Sequence, residues 1–510
     1  MWIAVELDLA GRCARRYALS VCLAVPLLAG GEADSLVIRN ALVADGSGGS
    51  LRRADVRIRG DRIAAVGAIP SRGVDRVLDA SDLILAAGFI DVHNHSTDRF
   101  DEDPLAASQT SQGITTILLG QDGISPWPIR AYLDKRRSIP TALHALVLVG
   151  HSTVRRMVMK DDFRRQAREE EVTRMAELVV QGMREGAVGL STNLSAEVGR
   201  FNSTDEVARL ARVAARLGGV YVSHIRNEGE QVFEAVREAI AIGDRAKVPV
   251  HISHLKLGSA RVWGRAQELV DVIEGARRRG VDVTADCYAH YEWWHDVPGL
   301  RPGQPASEMG AIGEKLEALE DADLILLRYP ARPEYVGRSL QEIARSKSSS
   351  MADVFLEIGR DGGGRILAPI MKESDLRVLY QQPWVMFASD GSIGLWAGAP
   401  ERIHIPRDTG TYPRLLSRYV RELEWLGMAE AIRRMTALPA QRLKLKDRGM
   451  IRDGAAADLV LFNPATVKDR STWLDPSRLS EGIQKVFVNG RLVWDVGKPT
   501  GARPGRMLSR

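Results

Sequence analysis

Gly88-Phe89-Ile90-Asp91-Val92-His93-Asn94-His95 is a short apolar run that ends in two histidines one residue apart. Strand alternation sends side chains two apart to the same face, so His93 and His95 point together, as two ligands of one metal ion would. Seven further apolar runs follow the same plan. Thr115 to Gly120 leads into Gln121-Asp122-Gly123, Ala142 to Val149 into Gly150-His151-Ser152, and Gly186 to Leu190 into Ser191-Thr192-Asn193. Val220 to Arg226 carries Ser223-His224, and Val248 to Lys256 carries His251 and His254. Val281 to Tyr288 carries Asp286 and Cys287, and Trp384 to Asp390 closes the series.

Segments with helical periodicity separate these runs. Ser203-Thr204-Asp205-Glu206 has the capping-box pattern and is followed by Val207, Leu210, Val213 and Ala214 on one face. Val172, Met175, Leu178 and Val179 repeat the spacing before Gly182. Strand alternating with helix predicts a parallel sheet. Eight such units with polar groups at their C-terminal strand ends predict a (β/α)8 barrel whose ends converge on one mouth.

The chain holds 10 histidines. His93, His95, His224 and His254 fall at strand ends, with His151 a fifth candidate, whereas His144 lies among strand residues and reads as packing. His251 is three residues from His254 and so faces the other way. Imidazoles with a carboxylate suit zinc or a related divalent ion, which makes hydroxide available near neutral pH and polarises a carbonyl. Hydrolysis then needs a group that takes a proton from water and passes it to the leaving amine. Asp390, in Ala388-Ser389-Asp390-Gly391, is the candidate; its plainer role is an Asx turn before Gly391.

Together, Gly88 to His95, Ser223-His224-Ile225-Arg226-Asn227-Glu228-Gly229, Ile252-Ser253-His254-Leu255-Lys256 and Ser389-Asp390-Gly391 resemble the amidohydrolase superfamily. The nearest resemblance within it is the D-aminoacylase (N-acyl-D-amino-acid deacylase) branch. Val149 to Thr153, Gly189-Leu190-Ser191-Thr192, Arg402 to Arg414 and the tail from Met435 to Arg506 extend the likeness over about residues 34 to 507. The resemblance implies that His224 and His254 hold the tighter zinc, His93 and His95 a second metal position, and that Asp390 shuttles the proton. It implies that Lys256, Tyr288 and Arg407 hold the substrate's α-carboxylate, with His151 also on the substrate side. His404-Ile405-Pro406-Arg407 has one residue more than the usual pattern.

Two departures bear on the chemistry. The branch has Asn-Cys-Gly-Ile-Ser with a zinc-binding cysteine, and this chain has Gln121-Asp122-Gly123-Ile124-Ser125. Asp122 is therefore expected as a ligand that can bridge two ions, with oxygen favouring harder divalent metals; one ion or two is left open. After Ser191-Thr192 the branch's tyrosine and proline are replaced by Asn193-Leu194-Ser195-Ala196-Glu197, which bears on specificity.

With 510 residues and 45% apolar content, the chain can bury a large core and hold more than one domain. The barrel is expected over residues 86–440, with an inserted subdomain over about 291–375, either a lid on the mouth or a solvated decoration. Residues 34–85 and 441–510 alternate as strands and are expected to join in one small β-sandwich, with Asn489-Gly490 marking a hairpin. Residues 1–33 have arginines before an apolar stretch of signal length, too short to span a membrane. Export is the expected fate, with no stable membrane anchor after processing and a cytoplasmic location as the alternative.

A net charge of +5 without a basic helix gives no reason to expect nucleic acid. Three cysteines predict no disulfide framework. The expected partner is a small N-acyl amino acid; oligomeric state is not legible. The function predicted is hydrolysis of N-acyl-D-amino acids with Zn2+ as cofactor. The alternatives are a dipeptidase for dipeptides ending in a D-residue and a metal-poor barrel without catalysis. A cyclic-amide hydrolase would need a bridging lysine at the fourth strand, where Ser191-Thr192-Asn193 stands.

Overall fold

A computed structural model describes residues 35–70, 72–73, 75–299, 324–394 and 405–509. The expected leader over residues 1–33 lies outside the described residues. Two sheets of parallel strands form the centre. One has six strands, running from Val149–Gly150 through Gly189–Asn193, Val220–His224, Val250–Ile252 and Val283–Cys287 to Val385–Phe387; the other has three, Phe89–Asp91, Ile114–Leu119 and His144–Val147. His144–Val147 continues directly into Val149–Gly150, and Leu148 N donates to Leu119 O at 3.0 Å, so the two sheets share one strand. At the other seam, Asn94 bridges Gly391 in parallel and His95 N donates to Gly391 O at 2.8 Å. The result is a closed ring of eight strands, the TIM-like barrel expected. Closure removes edges that would otherwise pair with other chains.

Asp91 fastens the closing seam. Buried at the end of the first strand, it accepts from Ser389 N at 2.9 Å, Ser389 Oγ at 2.6 Å and Asn94 Nδ2 at 2.9 Å. Burial outweighs these bonds and raises its carboxyl to about 6.

The helices answer the periodicities. Val172, Met175 and Val179 are buried on Glu169–Glu185, and Val207, Leu210 and Ala214 on Thr204–Arg216. The capping box at Ser203 forms only by half. Ser203 Oγ accepts from Glu206 N at 3.1 Å, but the Glu206 carboxylate turns into the interior, to His151 Nε2 at 2.9 Å and to the Arg155 guanidinium. A buried arginine and imidazole outbid the helix terminus for that carboxylate.

Both chain ends build a nine-stranded sheet, in which Ile84–Ala87 pairs antiparallel with Leu459–Phe462. This β-sandwich packs around Ile38, Val56, Ile58, Leu85, Leu459, Leu461 and Phe487. Asn489 (φ +46°) and Gly490 (φ +72°) make the two-residue turn between Ile483–Val488 and Arg491–Asp495, where φ > 0 is needed twice. Between the seventh and eighth barrel strands, Glu292–Pro298, Ile325–Arg328 and Gly363–Pro369 form an antiparallel sheet with Leu340–Ser346 and Met351–Arg360 beside it. The insertion has its own core of Leu326, Leu340, Val354, Phe355, Ile358 and Ile366; residues 300–323 lie outside the described residues. No described helix is long and apolar enough to cross a membrane.

Candidate metal centre

The C-terminal ends of the barrel strands bring His93, His95, Asp122, His224, His254 and Asp390 together. Their potential ligand atoms form overlapping groups: His93, His95 and Asp390; His93, Asp122 and His254; His224, Glu228 and His254. His93 Nε2 lies 3.2 Å from His95 Nε2, and His224 Nδ1 lies 3.0 Å from His254 Nε2. The pairing of His93 with His95 follows from strand alternation; His224 and His254 end neighbouring strands whose register sets Ser223 opposite Ile252, and the left-handed backbone of His254 (φ +34°) lies one residue beyond that register.

Asp122 stands among all four imidazoles. Its Oδ1 is 3.7 Å from His93 Nε2 and 3.9 Å from both His224 Nδ1 and His254 Nε2; its Oδ2 is 3.7 Å from His95 Nε2. These separations are too long for hydrogen bonds. They suit ligands sharing an ion, because two atoms each about 2.1 Å from a tetrahedral zinc stand about 3.4 Å apart. Asp122 Oδ1 is also buried without a hydrogen-bond partner, a costly state that a cation would relieve. The residues present therefore fit a divalent ion, with the Asp122 carboxylate facing all four imidazoles.

Three of these residues have left-handed backbones: Asp122 (φ +54°), His254 (φ +34°) and Asp390 (φ +47°). Each costs on the order of 1–3 kcal/mol and persists only where its surroundings enforce it. For Asp390 the enforcement is its N–H to His93 O at 3.0 Å, and for His254 its N–H to Asp286 Oδ1 at 2.9 Å. Asp122 leaves its strand through Gly120 and Gly123, where a Cβ on Gly120 would lie 2.6 Å from Leu148 O.

Glu228, within the motif but without an expected role, is part of the site. Asn227 Oδ1 accepts from Gly229 N at 2.9 Å, a turn that folds the chain back. Glu228 Oε1 thereby reaches His254 Nδ1 at 2.7 Å and Lys256 Nζ at 2.6 Å. It orients the imidazole and leaves Nε2 for a ligand role, as carboxylates behind metal-binding histidines do. Burial and Lys256 oppose protonation of His254, but Glu228 and Asp390 overcome them and push it up to about 9.

Asp286 supports from below, accepting from His251 Nε2 at 2.8 Å and lying 3.9 Å from His93 Nδ1. Ser195, in the segment that departs from the branch, reaches His224 Nε2 at 3.0 Å. No sequence signal marked Ser195, whereas Glu228 stood four residues after His224.

Asp390 is buried beside this cluster. Its Oδ1 is 3.1 Å from His95 Nε2 and 3.4 Å from His93 Nε2, and its Oδ2 pairs with Arg407 Nη1 at 2.8 Å. Burial favours its neutral form, but the charges of Arg407 and His93 and the bond from His95 outweigh that and hold the carboxyl well below the usual range. Arg407, Lys256 and Tyr288 come together as expected: the guanidinium lies 4.1 Å from the Tyr288 ring centroid and Lys256 Nζ 5.6 Å from it. Trp293, on the first strand of the insertion, covers Arg407 at 4.7 Å.

His151 is the exception among the expected site residues. Its Nε2 faces Glu206 inside the protein, so the structure gives it a bonded interior place rather than one in the cluster. His144 takes a bonded place too, 3.2 Å from Asp458 Oδ1.

The profile of an amidohydrolase family matches residues 76–325 and 384–494. The chain therefore belongs to the amidohydrolase family. An N-acyl-D-glutamate deacylase of Alcaligenes xylosoxydans xylosoxydans is 36% identical over 502 residues, which cover 94% of this chain and 97% of that protein. A solved D-aminoacylase with a binuclear metal centre, described as activated by one metal and attenuated by the second, has a TM-score of 0.76 at 33% identity, covering 93% of this chain and 99% of its own. The N-acyl-D-glutamate deacylase of Bordetella bronchiseptica, solved with zinc and a phosphonate mimic of the tetrahedral intermediate, has a TM-score of 0.77 at 32% identity, covering 94% of this chain and 100% of its own. Within the family the chain stands in the D-aminoacylase branch, among metal-binding hydrolases.

Proposed function

We propose that this protein hydrolyses the amide bond of N-acyl-D-amino acids, releasing a carboxylate and a D-amino acid, with zinc as its ion. The observation that carries the reading is Asp122 Oδ1, partnerless among three imidazole nitrogens, with Asp390 against the same histidines. A bound divalent ion would polarise the amide carbonyl and make hydroxide available near neutral pH.

The chain's own groups do the rest. Arg407 presents a fork and Lys256 a point charge to the substrate's α-carboxylate, both beside the Tyr288 ring. A carboxylate that engages Arg407 draws it away from Asp390 Oδ2, the strongest charge now keeping that aspartate deprotonated. The proton affinity of Asp390 then rises toward the range useful to a general base. Asp390 takes a proton from water as oxygen adds to the carbonyl carbon, then delivers it to the amide nitrogen as the C–N bond breaks. Trp293 over Arg407 keeps that ion pair away from bulk water, which strengthens it.

Metal-loaded protein should release amino groups from a panel of N-acetyl-D-amino acids and leave the L-enantiomers intact. Including dipeptides with a C-terminal D-residue separates a deacylase from a dipeptidase. No release from any member of the panel by protein of full metal content would refute the reading.

A further inference from the structure

At the opposite end of the barrel from the metal centre, a cleft of about 680 Å³ opens between the helix Ile129–Ser138, the Asn489-Gly490 hairpin and the C-terminal tail. Arg136, Arg137, Arg491, Arg503 and Arg506 line it, and Asp61 is the one carboxylate among the lining residues. A concave surface with this imbalance concentrates positive potential.

The local pairings leave much of that charge uncompensated. Arg137 meets Asp134 at 2.7 Å and Arg506 meets Asp61 at 3.4 Å, both as exposed pairs of little strength. Arg491 and Arg503 have no ion pair among the described residues. Arg136 has a side chain only 2% exposed and spends Nη2 on Asp101, while its Nε and Nη1 are buried without a hydrogen-bond partner. Those two atoms are closed to solvent, so Arg136 backs the cleft by its charge, sharing Asp101 with Lys135 at 2.7 Å, while the exposed Arg491, Arg503 and Arg506 are placed to touch an anion.

The backbone that presents these side chains is pinned. Gly505 N donates to Thr141 O at 2.8 Å, and a Cβ on Gly505 would lie 2.0 Å from Leu143 O, so the tail sits directly on barrel backbone. Asn489 Nδ2 holds Pro504 O at 2.8 Å and ties the hairpin to the tail. The arginines thus start from fixed positions, which lowers the entropy lost on binding.

We propose that this cleft is a binding site for a phosphate group, free or carried by a small molecule. A carboxylate has two oxygens and one charge, enough for one guanidinium fork. A phosphate has three terminal oxygens and nearly two charges and matches several forks at once.

The test is calorimetric titration of the metal-loaded, full-length protein with inorganic phosphate and with phenyl phosphate at fixed ionic strength, beside an Arg491→Gln/Arg503→Gln variant. Both replaced side chains are exposed, and an unchanged melting temperature checks the fold. Saturable binding that weakens tenfold or more in the variant is expected, and the relative affinity of the two probes separates free from esterified phosphate. Phosphate held at the metal centre would instead bind both proteins alike. Equal isotherms in the two proteins, or no saturable binding by the parent protein, would overturn the proposal.

Discussion

Asp390→Asn protein will fold, hold its metal and turn over at least about a thousandfold more slowly. General acid–base groups contribute on the order of 10²–10⁴ in rate, and Asp390 serves twice, first as base and then as acid. A thousandfold loss corresponds to about 4 kcal/mol of transition-state stabilisation. The amide is nearly isosteric and can still accept a hydrogen bond from Arg407 through its oxygen, so the ion pair becomes a hydrogen bond to a neutral group without leaving a cavity. Because the reaction needs a proton carrier rather than a ligand at this position, kcat should fall far more than KM rises. Steady-state kinetics alongside metal analysis would separate the two. An Asp390→Asn enzyme within tenfold of the parent kcat would remove Asp390 from the proton path.

Asp122→Ala should act on metal first and on rate through it. Asp122 Oδ1 stands between the His93 side of the cluster and the His224–His254 side. Alanine removes a carboxylate ligand and its negative charge, leaving neutral imidazoles that can still bind an ion but cannot offset the repulsion between two. Loss of even an outer partner of a metal ligand typically costs 10–100-fold in affinity, so loss of a shared ligand should cost on the order of a hundredfold or more. Plasma emission analysis of dialysed protein should show metal content at least halved, with activity lowered in parallel. Cysteine at this position, the residue usual in the branch, should recover tight binding. Unchanged content and activity in the alanine variant would end the bridging assignment.

Much of the site was legible because barrels convert sequence order into spatial order. Once Phe89–Asp91, Val220–His224, Val250–Ile252 and Val385–Phe387 are recognised as strands of one ring, the residues just beyond them must meet. That rule delivers His93, His95, His224, His254 and Asp390 without knowledge of any loop. It fails where a loop folds back. Glu228 reaches His254 only through the turn at Asn227, and Ser195 reaches His224 from a segment with no periodicity. It also says nothing about which way a side chain turns once it leaves the sheet. His151 stands at a strand end as the others do, yet the buried Glu206 and Arg155 draw it inward. The same Glu206 broke the capping box, since a local helix bond is worth about 1 kcal/mol and a buried charge pair left open costs more.

The insertion was legible in outline only. Leu340–Ser346 and Met351–Arg360 carry Ser caps and clear apolar faces, but the antiparallel pairing of Glu292–Pro298 with Gly363–Pro369 joins the two ends of the insertion. Non-local strand pairing leaves no short-range mark, because partners so distant are chosen by packing rather than by a turn. The stacking of Trp293 on Arg407 was hidden for the same reason.

Anomalous diffraction at the zinc edge from crystals of the zinc-loaded protein tests the account most directly. A peak about 2.0–2.2 Å from His224 Nδ1, His254 Nε2 and Asp122 Oδ1 is predicted. A second, weaker peak beside His93 and His95 is compatible with the bridging place of Asp122. Absence of any peak at the barrel mouth, or a fully occupied zinc that leaves Asp122 and His254 uncoordinated, would contradict it.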